Sequence, residues 1–574
     1  MKQYIHALFS DILGKMYTAG KLSVLPVVEL SVPDAQFGDY ATNVALRLAK
    51  QLGQSPQEIA EKLAVELKSF DIQHRFSEIA SVGGFINFTV SKEFLLQNMK
   101  AVLDQGELYG SSVAGQGKKV LVEYFQPNVA KPLHLGHISN AVVGDALFHI
   151  LKSQGYKTES DTHLGDWGTQ FGLLLLAYKK YGDFNIIEKN PIDELNKLYV
   201  QINTEIESNP EIREQGKQEF VKLEQGDTEN RKLWEQFREW SWQEYDIIYS
   251  QLGVRKADHD WPESFYEDKM PAVIDELKQK GLLIESQGAQ IVPLEDYKLG
   301  TAVVIKSDSG TTYLLRDLAT YIYRQQQGFE KQLYIIDVRQ QHQLAQTFKI
   351  LELMGHIKAP QDAVHIAYGF LKLPEGAMSS RKGTIIQAGE FIKSVQEKAL
   401  EIINEKNPDL KDKESVAKQV ASGAIKYFQL SHNLKSDIVF DPAKVISFEG
   451  NTGPYLQYTH ARIHGIKRKA GGEIDISQIF DDKITISEQE SAVLRKLMQF
   501  QETLETVTIE YTPNLLCNYL FELAQNFNSF YQAIPVTQET DEQLKAFRLQ
   551  LITATAQVIN NGLYVLGIQA PEEM

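Results

Sequence analysis

Hydrophobic positions change their spacing along the chain, and those changes divide it. Early on, a turn at 37–43 leads into a helix running through Leu46 and Leu48 to Leu52. Ser55, Pro56 and Glu58 form a capping box with proline at the first helical position, starting a second helix that reaches Leu67. Residues 83–90 then alternate apolar and polar, as a half-buried strand does. Residues 1–110 are therefore expected to form a separate α+β unit, joined onward by a Gly- and Ser-rich linker at 106–117.

From Lys118, strand and helix patterns alternate. A buried strand at 120–122 ends in Glu123, Tyr124 and Phe125, and Pro127 and Pro132 keep the next connection from being helical. Ile138, Val142, Leu147, Ile150 and Leu151 then fall on one helical face until Gly155. A strand at 156–161 precedes a glycine-rich polar stretch at 162–172. Strands at 302–305, 333–336 and 365–370 follow, with a helix opening at 311–317, a polar junction at 337–342, a helix to Leu353 and a short basic loop at 376–383. This alternation predicts a largely parallel sheet over 118–395. Open sheets of this kind bind ligands beyond the carboxyl ends of their strands, where these polar junctions fall. Between about 181 and 300 the texture is charged and helical, anchored by Trp234, Trp240 and Trp242, and is expected to be an insertion. From 414 to 574 the pattern is almost wholly helical and predicts a bundle.

A content of 43% hydrophobic and 23% charged residues is that of a globular protein. No run is long enough to span a bilayer, and the N-terminus lacks the apolar core of a signal peptide, so a cytoplasmic location is expected. The single cysteine, Cys517, excludes an internal disulfide framework and a cysteine-rich zinc site. A formal charge of −16 argues against indiscriminate polyanion binding but leaves room for a local basic face. One stands out: Arg462, His464, Lys467, Arg468 and Lys469, close to Tyr455 and Tyr458, a mixture that suits unstacked RNA bases. Most such runs are solvated helix faces.

The densest chemistry lies at 127–137, where His134, Gly136, His137 and Lys131 share one strand-to-helix junction. Unpaired N–H groups and the macrodipole at a helix N-terminus favour an anion, and phosphate fits there. Two histidines three apart are usually structural; the preceding strand, the glycine between them and the basic loop downstream favour the phosphate reading. Tyr313 and Asp317, four apart at a helix start, read equally as a core tyrosine and a carboxylate on the helix dipole.

Together these stretches resemble a known family. His134–Leu135–Gly136–His137 after Glu123 and Asn128, with Met378, Ser379 and Ser380 downstream, is similar to the paired signatures of class I aminoacyl-tRNA synthetases. The stretches 165–172 and 449–462, with 38–40, 84–88 and 566–572, resemble arginyl-tRNA synthetases. The resemblance implies a Rossmann-like catalytic domain with a helical insertion, an N-terminal α+β domain that contacts the tRNA corner and an all-α anticodon-binding bundle. It implies ATP-dependent formation of arginyl-adenylate, transfer to the terminal adenosine of tRNA(Arg), Mg²⁺ carried by the nucleotide, no protein-held metal and a monomer. His134, Gly136, His137, Met378, Ser379, Ser380, Arg381 and Lys382 are then expected at ATP. Glu123, Asn128, Tyr313, Asp317 and Gln340 match the arginine-binding positions. Asp317 is assigned to the guanidinium and Tyr313 to closing the pocket, Asn128 and Gln340 to the backbone end or the wall, and Glu123 to either. Tyr455, Tyr458, Arg462, Lys467 and Arg468 are the tRNA candidates.

One departure changes the picture. The second signature is usually Lys-Met-Ser-Lys-Ser, but Ala377 and Ser380 stand where its lysines would be. Lys131 is therefore expected to supply a cation to the phosphates, assisted by Arg381 or Lys382, as a catalytic residue beside His134 and His137. Two alternatives are a class I synthetase for another amino acid and a non-catalytic paralogue that binds tRNA or a protein. The acidic and amide pocket residues oppose an apolar substrate. A non-catalytic chain is expected to lack one of His134, His137, Asn128 or Asp317, and all are present.

Overall fold

The computed structural model describes the chain apart from residues 308–309, 370, 374–375, 378–386, 440–441, 473, 479 and 481–483, and the side chains at 35, 371–373, 376–377 and 442–443. The expected ATP contacts at Met378, Ser379, Ser380, Arg381 and Lys382 lie outside the described residues.

The N-terminal unit contains helix α1 (Lys2–Thr18), strand β1 (Tyr40–Thr42), helices α2 (Val44–Leu52) and α3 (Pro56–Phe70), strands β2 (Phe76–Val82) and β3 (Phe85–Val90), and helix α4 (Lys92–Gln105). Its strands pair antiparallel in the order β1-β3-β2. The capping box forms: Ser55 Oγ accepts from the Glu58 N–H at 3.2 Å, and Glu58 Oε2 accepts from the Ser55 N–H at 3.3 Å. Helix α1 is not among the predicted elements. It has no side-chain cap, and Ile5, Leu8, Phe9, Ile12 and Leu13 form its buried stripe. The 106–117 connection is docked rather than free, because Asn561 Nδ2 donates to the carbonyls of Gly106 at 2.9 Å and Tyr109 at 3.0 Å.

Strand β4 (Lys119–Phe125), helix α5 (Leu135–Ser153) and strand β5 (Lys157–Thr162) make the first crossover. Helices α6 (Thr169–Tyr181), α7 (Phe184–Ile187), α8 (Pro191–Ser208), α9 (Glu211–Glu224) and α10 (Thr228–Gln251) follow. Helical structure does not continue to 300 as expected. Strand β6 (His259–Asp260) rejoins the sheet beside β5, and after helix α11 (Met270–Gln279) comes an antiparallel ribbon of β7 (Ile284–Ser286), β8 (Ala289–Pro293) and β9 (Thr301–Ile305). A two-residue strand has no period to read, and the charge-rich texture hides the ribbon. Helix α12 (Tyr313–Gln326), strand β10 (Lys331–Asp337), helix α13 (Gln341–Met354) and strand β11 (Ala363–Tyr368) complete the parallel sheet, ordered β11-β10-β4-β5-β6.

Short strands β12 (Leu371–Leu373), β13 (Gly376–Ala377) and β14 (Ile438–Val439) form a small sheet. Around them are helices α14 (Ala388–Lys406), α15 (Lys413–Leu430), α16 (Pro442–Val445), α17 (Gly453–Lys469), α18 (Glu488–Met498), α19 (Phe500–Glu510), α20 (Pro513–Ala533) and α21 (Glu542–Val565). The expected boundary at 395 falls inside α14, which packs on α15 and so continues into the helical part of the chain.

Sheet order explains where the cleft lies. From β4 the chain builds toward β5 and β6 on one side, and later toward β10 and β11 on the other, so the crevice beyond the carboxyl ends of β4 and β10 is the topological switch point. A buried ion triad pins α12 across this centre. Arg324, 0% exposed, donates from Nε at 2.9 Å and Nη2 at 2.6 Å to Asp161 Oδ2 on β5, and its Nη1 pairs with Glu123 on β4. Such a network has little net stabilising value against apolar packing, but losing one partner strands buried charge. Arg324→Met should therefore lower the unfolding free energy of this region by about 3–5 kcal/mol, read from urea denaturation followed by tryptophan fluorescence; a loss below about 1 kcal/mol would show that the triad is solvated.

Candidate active site

The loop after β4 is held by isolated backbone bridges at Asn128–Gly165 and His134–Gln387, and the insertion supplies further support. Ala130 takes φ +60°, unusual for a side-chain-bearing residue, and its N–H donates to Ser241 Oγ on α10 at 2.9 Å. The buried Tyr245 hydroxyl, also on α10, lies 2.7 Å from the Asn128 carbonyl and 2.8 Å from the Lys131 carbonyl. From the other side, the Ala388 N–H donates to the Leu133 carbonyl at 2.8 Å.

Held this way, His134 caps α5. Its Nδ1 accepts from the Gly136 N–H at 3.1 Å, and His137 Nδ1 accepts from the His134 N–H at 3.2 Å. The rings stack with centroids 3.9 Å apart and planes at 23°. A Cβ at Gly136 would lie 2.9 Å from His134 Cε1, so only glycine fits without displacing the ring. Burial pushes His137 down to about 3, reinforced by His134 and Lys131, and burial also lowers His134. Both imidazoles are thus neutral at pH 7. With each Nδ1 accepting, the proton sits on Nε2, so both rings present Nε2–H donors. Lys131 lies with its ammonium 5.1 Å from the Tyr199 ring centroid on α8. Burial lowers its pKa, and among the described residues no carboxylate pairs with it.

Helix α12 and the turn at 263–269 carry an acidic group. Asp317 on α12 accepts from Gln343 Nε2 at 3.0 Å, and burial, with the charge of Glu123 adding to it, pushes its carboxyl up to about 7. Glu263 is raised to about 8 by burial although Arg316 lies 3.1 Å away, because Asp166, Asp317 and Glu267 also press on it. Arg316 also pairs with Glu267 at 2.8 Å. Glu123 is committed internally: burial would raise it, but Arg324 and His163 outweigh burial, and Gln126 donates to its other oxygen. Tyr313, 54% exposed, stands one turn before Asp317 at the start of α12.

Asn128 sits against the glycine-rich 162–172 stretch. Its Oδ1 is 3.5 Å from Gln170 Nε2, and the backbones pair through Val129 N to Gly165 O at 3.1 Å and Gly165 N to Pro127 O at 3.0 Å. A Cβ at Gly165 would fall 2.4 Å from Asn128 Oδ1. Asp166 is structural, accepting from Ser264 N at 2.9 Å and Ser264 Oγ at 2.7 Å and pairing with Arg238 at 3.1 Å. Gln340 is exposed at the start of α13 and makes no side-chain cap.

The structure thus places His134 and His137 at the N-terminus of α5, Lys131 and Asn128 in the loop before it, and Tyr313 and Asp317 on α12. It adds residues missed in sequence: Ser241 and Tyr245 behind the loop, Gln343 on Asp317, Tyr199 beside Lys131, and His163, whose buried Nδ1 has no hydrogen-bond partner among the described residues. All depend on tertiary contacts, although the 162–172 stretch containing His163 is itself recognisable. On α17, Arg462 donates to Asn528 at 3.1 Å and lies 4.8 Å from the Tyr531 ring, and Asn528 donates to the Tyr455 hydroxyl at 2.8 Å. Tyr458 is 46% exposed. Lys467 is half-buried, and Arg468 turns toward Glu572 and Glu573 at the chain's end, away from that cluster.

The neutral buried imidazole has a consequence for folding. Because the folded value of His137 lies below that of the unfolded side chain, the unfolded chain takes up the extra proton as pH falls through about 6.5, and stability drops from there toward pH 3. His137→Gln should make the loss of stability between pH 7.5 and pH 5 shallower than in the wild type, measured by urea midpoints; equal slopes would place His137 in water.

Three family models cover most of the chain: tRNA synthetases class I (R), catalytic domain at 98–442, Arginyl tRNA synthetase N terminal domain at 3–90, and DALR anticodon binding domain at 456–574. An arginine–tRNA ligase of Clostridium botulinum (strain Alaska E43 / Type E3) is 41% identical over 547 residues, 94% of this chain and 95% of that protein. One of Clostridioides difficile (strain 630) is 40% identical over the whole of both chains. The solved arginyl-tRNA synthetase of Thermus thermophilus aligns over 100% of both chains at a TM-score of 0.84 and 27% identity. With the acidic crevice, the paired imidazoles and the helical C-terminal part in the same order, the chain belongs to the class I arginine–tRNA ligase family.

Proposed function

We propose that this chain is an arginine–tRNA ligase that activates L-arginine with ATP and transfers it to tRNA(Arg). One observation supports the reading: near the sheet's switch point, carboxyls raised by burial on α12 and at Glu263 accompany two neutral imidazole N–H donors and a lysine with no carboxylate partner among the described residues. A guanidinium completes the first group, and phosphate oxygens complete the second.

In the first step the arginine carboxylate attacks the α-phosphorus of ATP, forming the acyl-phosphate bond and releasing pyrophosphate. In the second, a hydroxyl of the terminal adenosine attacks the carbonyl and AMP leaves. No protein nucleophile is required, so the residues act by placement and by stabilising charge on phosphate oxygens. His134 and His137 donate Nε2–H to those oxygens, and Lys131 adds positive charge. Mg²⁺ carried by the nucleotide would offset triphosphate charge. Asp317 takes the guanidinium, with Glu123 strengthening the local negative potential. Tyr313 closes the mouth, and Asn128 and Gln340 face the amino-acid backbone or the wall. Arg381 and Lys382 assist at the phosphates. The α17 face with Tyr455, Tyr458, Arg462 and Lys467 meets the anticodon arm, and the N-terminal unit meets the tRNA corner. The enzyme works as a monomer in the cytoplasm.

Pyrophosphate exchange in the presence of tRNA tests this reading. Arginine should support exchange. Citrulline, with a neutral urea in place of the guanidinium, should be at least ~10⁴-fold poorer in kcat/KM, since a site built on hydrogen-bonded charge rejects the analogue lacking it. Asp317→Asn should raise the KM for arginine by at least ~10²-fold. Lys131→Ala should lower the activation rate ~10²-fold, as losing one preorganised donor does. Efficient use of citrulline would sink the arginine assignment, and unchanged turnover in Lys131→Ala would remove Lys131 from the phosphate site.

A further inference from the structure

Beyond the cleft, further along α5, an ammonium is completely enclosed. Lys426 on α15 is 0% exposed, and each of its three N–H donors has an acceptor: Asp145 Oδ2 on α5 at 3.1 Å, Gly253 O at 3.0 Å and Gly567 O at 2.6 Å. The socket is built for it. Gly253 and Gly567 adopt φ of +65° and +71°, and a Cβ at Gly567 would lie 2.7 Å from the Asp145 carboxylate and 2.9 Å from the ammonium. The other Asp145 oxygen accepts from the Arg255 N–H at 3.3 Å and lies 3.6 Å from His149 Nε2.

A second tie joins the same helices, because Ser139 Oγ on α5 donates to Gln429 Oε1 on α15 at 3.2 Å. Helix α15 is in turn locked to α17, where a Cβ at Gly453 would fall 2.4 Å from the Gly423 carbonyl, so the backbones touch. Gln457 on α17 donates to the carbonyls of Gln419 at 3.0 Å and Gln569 at 2.7 Å. The last segment of the chain therefore binds α17 and the Lys426 socket together.

Apolar residues pack two helices at less cost than a desolvated ammonium does. What the ammonium adds is direction, since acceptors on three separate segments define one docking position. We infer that Lys426 is a positioning residue that sets α5, and so His134 and His137 at its N-terminus, against α15, α17 and the chain's last segment. The inference rests on the proposed function for its kinetic consequence: displacing reacting groups by about 1 Å costs on the order of 10²-fold in rate.

The test is the Asp145→Asn/Lys426→Met double variant, which removes both charges at similar volume and so avoids the unpaired carboxylate that Lys426→Met alone would leave. Arginylation kinetics and hydrogen–deuterium exchange across 134–145 are both read, with Tm as the check on folding. The expected result is a Tm close to wild type, a kcat at least tenfold lower with KM for arginine within twofold, and faster exchange at the start of α5. A folded double variant with wild-type kcat, or with wild-type exchange over 134–145, overturns the inference. A wild-type protein that fails to arginylate tRNA overturns the functional reading instead, and the exchange result still decides the positioning role. Should the double variant not fold, Asp145→Asn, which keeps the volume and weakens the acceptor at Lys426, replaces it under the same criteria.

Discussion

The charge balance of the buried and half-buried carboxylates around α12 is the constraint on which the rest of this structure depends: among the described residues they outnumber the cations that pair with them. Arg324 is shared between Asp161 and Glu123, and Arg316 between Glu263 and Glu267. Asp317 is left with an amide from Gln343. Burial, with the negative charge of Glu123 adding to it, raises the cost of ionising it, which is why its carboxyl sits near neutrality instead of in the usual acid range. Folding alone gains nothing from such an arrangement. On the proposed reading a cationic ligand completes the charge count, and the switch point of an open sheet is where such folds bind ligands.

The N-terminus of α5 poses the opposite problem. Burial keeps both imidazoles neutral, so each offers one Nε2–H without adding fixed charge, which is what the proposed contact with phosphate oxygens requires. Their geometry is set by backbone: the N–H groups of His134 and Gly136 each occupy an Nδ1 and choose the tautomer. The loop that carries them is irregular and holds Ala130 in a left-handed conformation, so it relies on Ser241 and Tyr245 from α10. The helical insertion thus acts as a brace for the signature loop.

Much of this was legible in the sequence, for reasons of range. The capping box at Ser55 and Glu58, the buried strand before Glu123 and the helix from Leu135 depend on neighbours a few residues away, and they form where expected. His134, Gly136 and His137 declared themselves because a helix N-terminus is a local feature. What escaped is long-range. Gln343 reaches back to Asp317, Tyr245 to Asn128, and Lys426 to Asp145, and no periodicity encodes those pairings. Helix α1 has the right apolar stripe but no cap, and β6 is too short to show alternation. The docking of the 106–117 connection depends on Asn561, at the far end of the chain.

The crevice as an arginine site is most directly tested by titrating L-arginine into the protein by calorimetry, in two buffers of different ionisation enthalpy. At pH 7 a carboxyl with a value of about 7 is half protonated in the free protein, and a bound guanidinium lowers that value, so Asp317 should release about half a proton. The release should vanish by pH 9, where the carboxylate is already ionised, and should be lost in Asp317→Asn. Arginine binding with no proton release at pH 7, or with proton uptake, would contradict the assignment of Asp317 to the guanidinium.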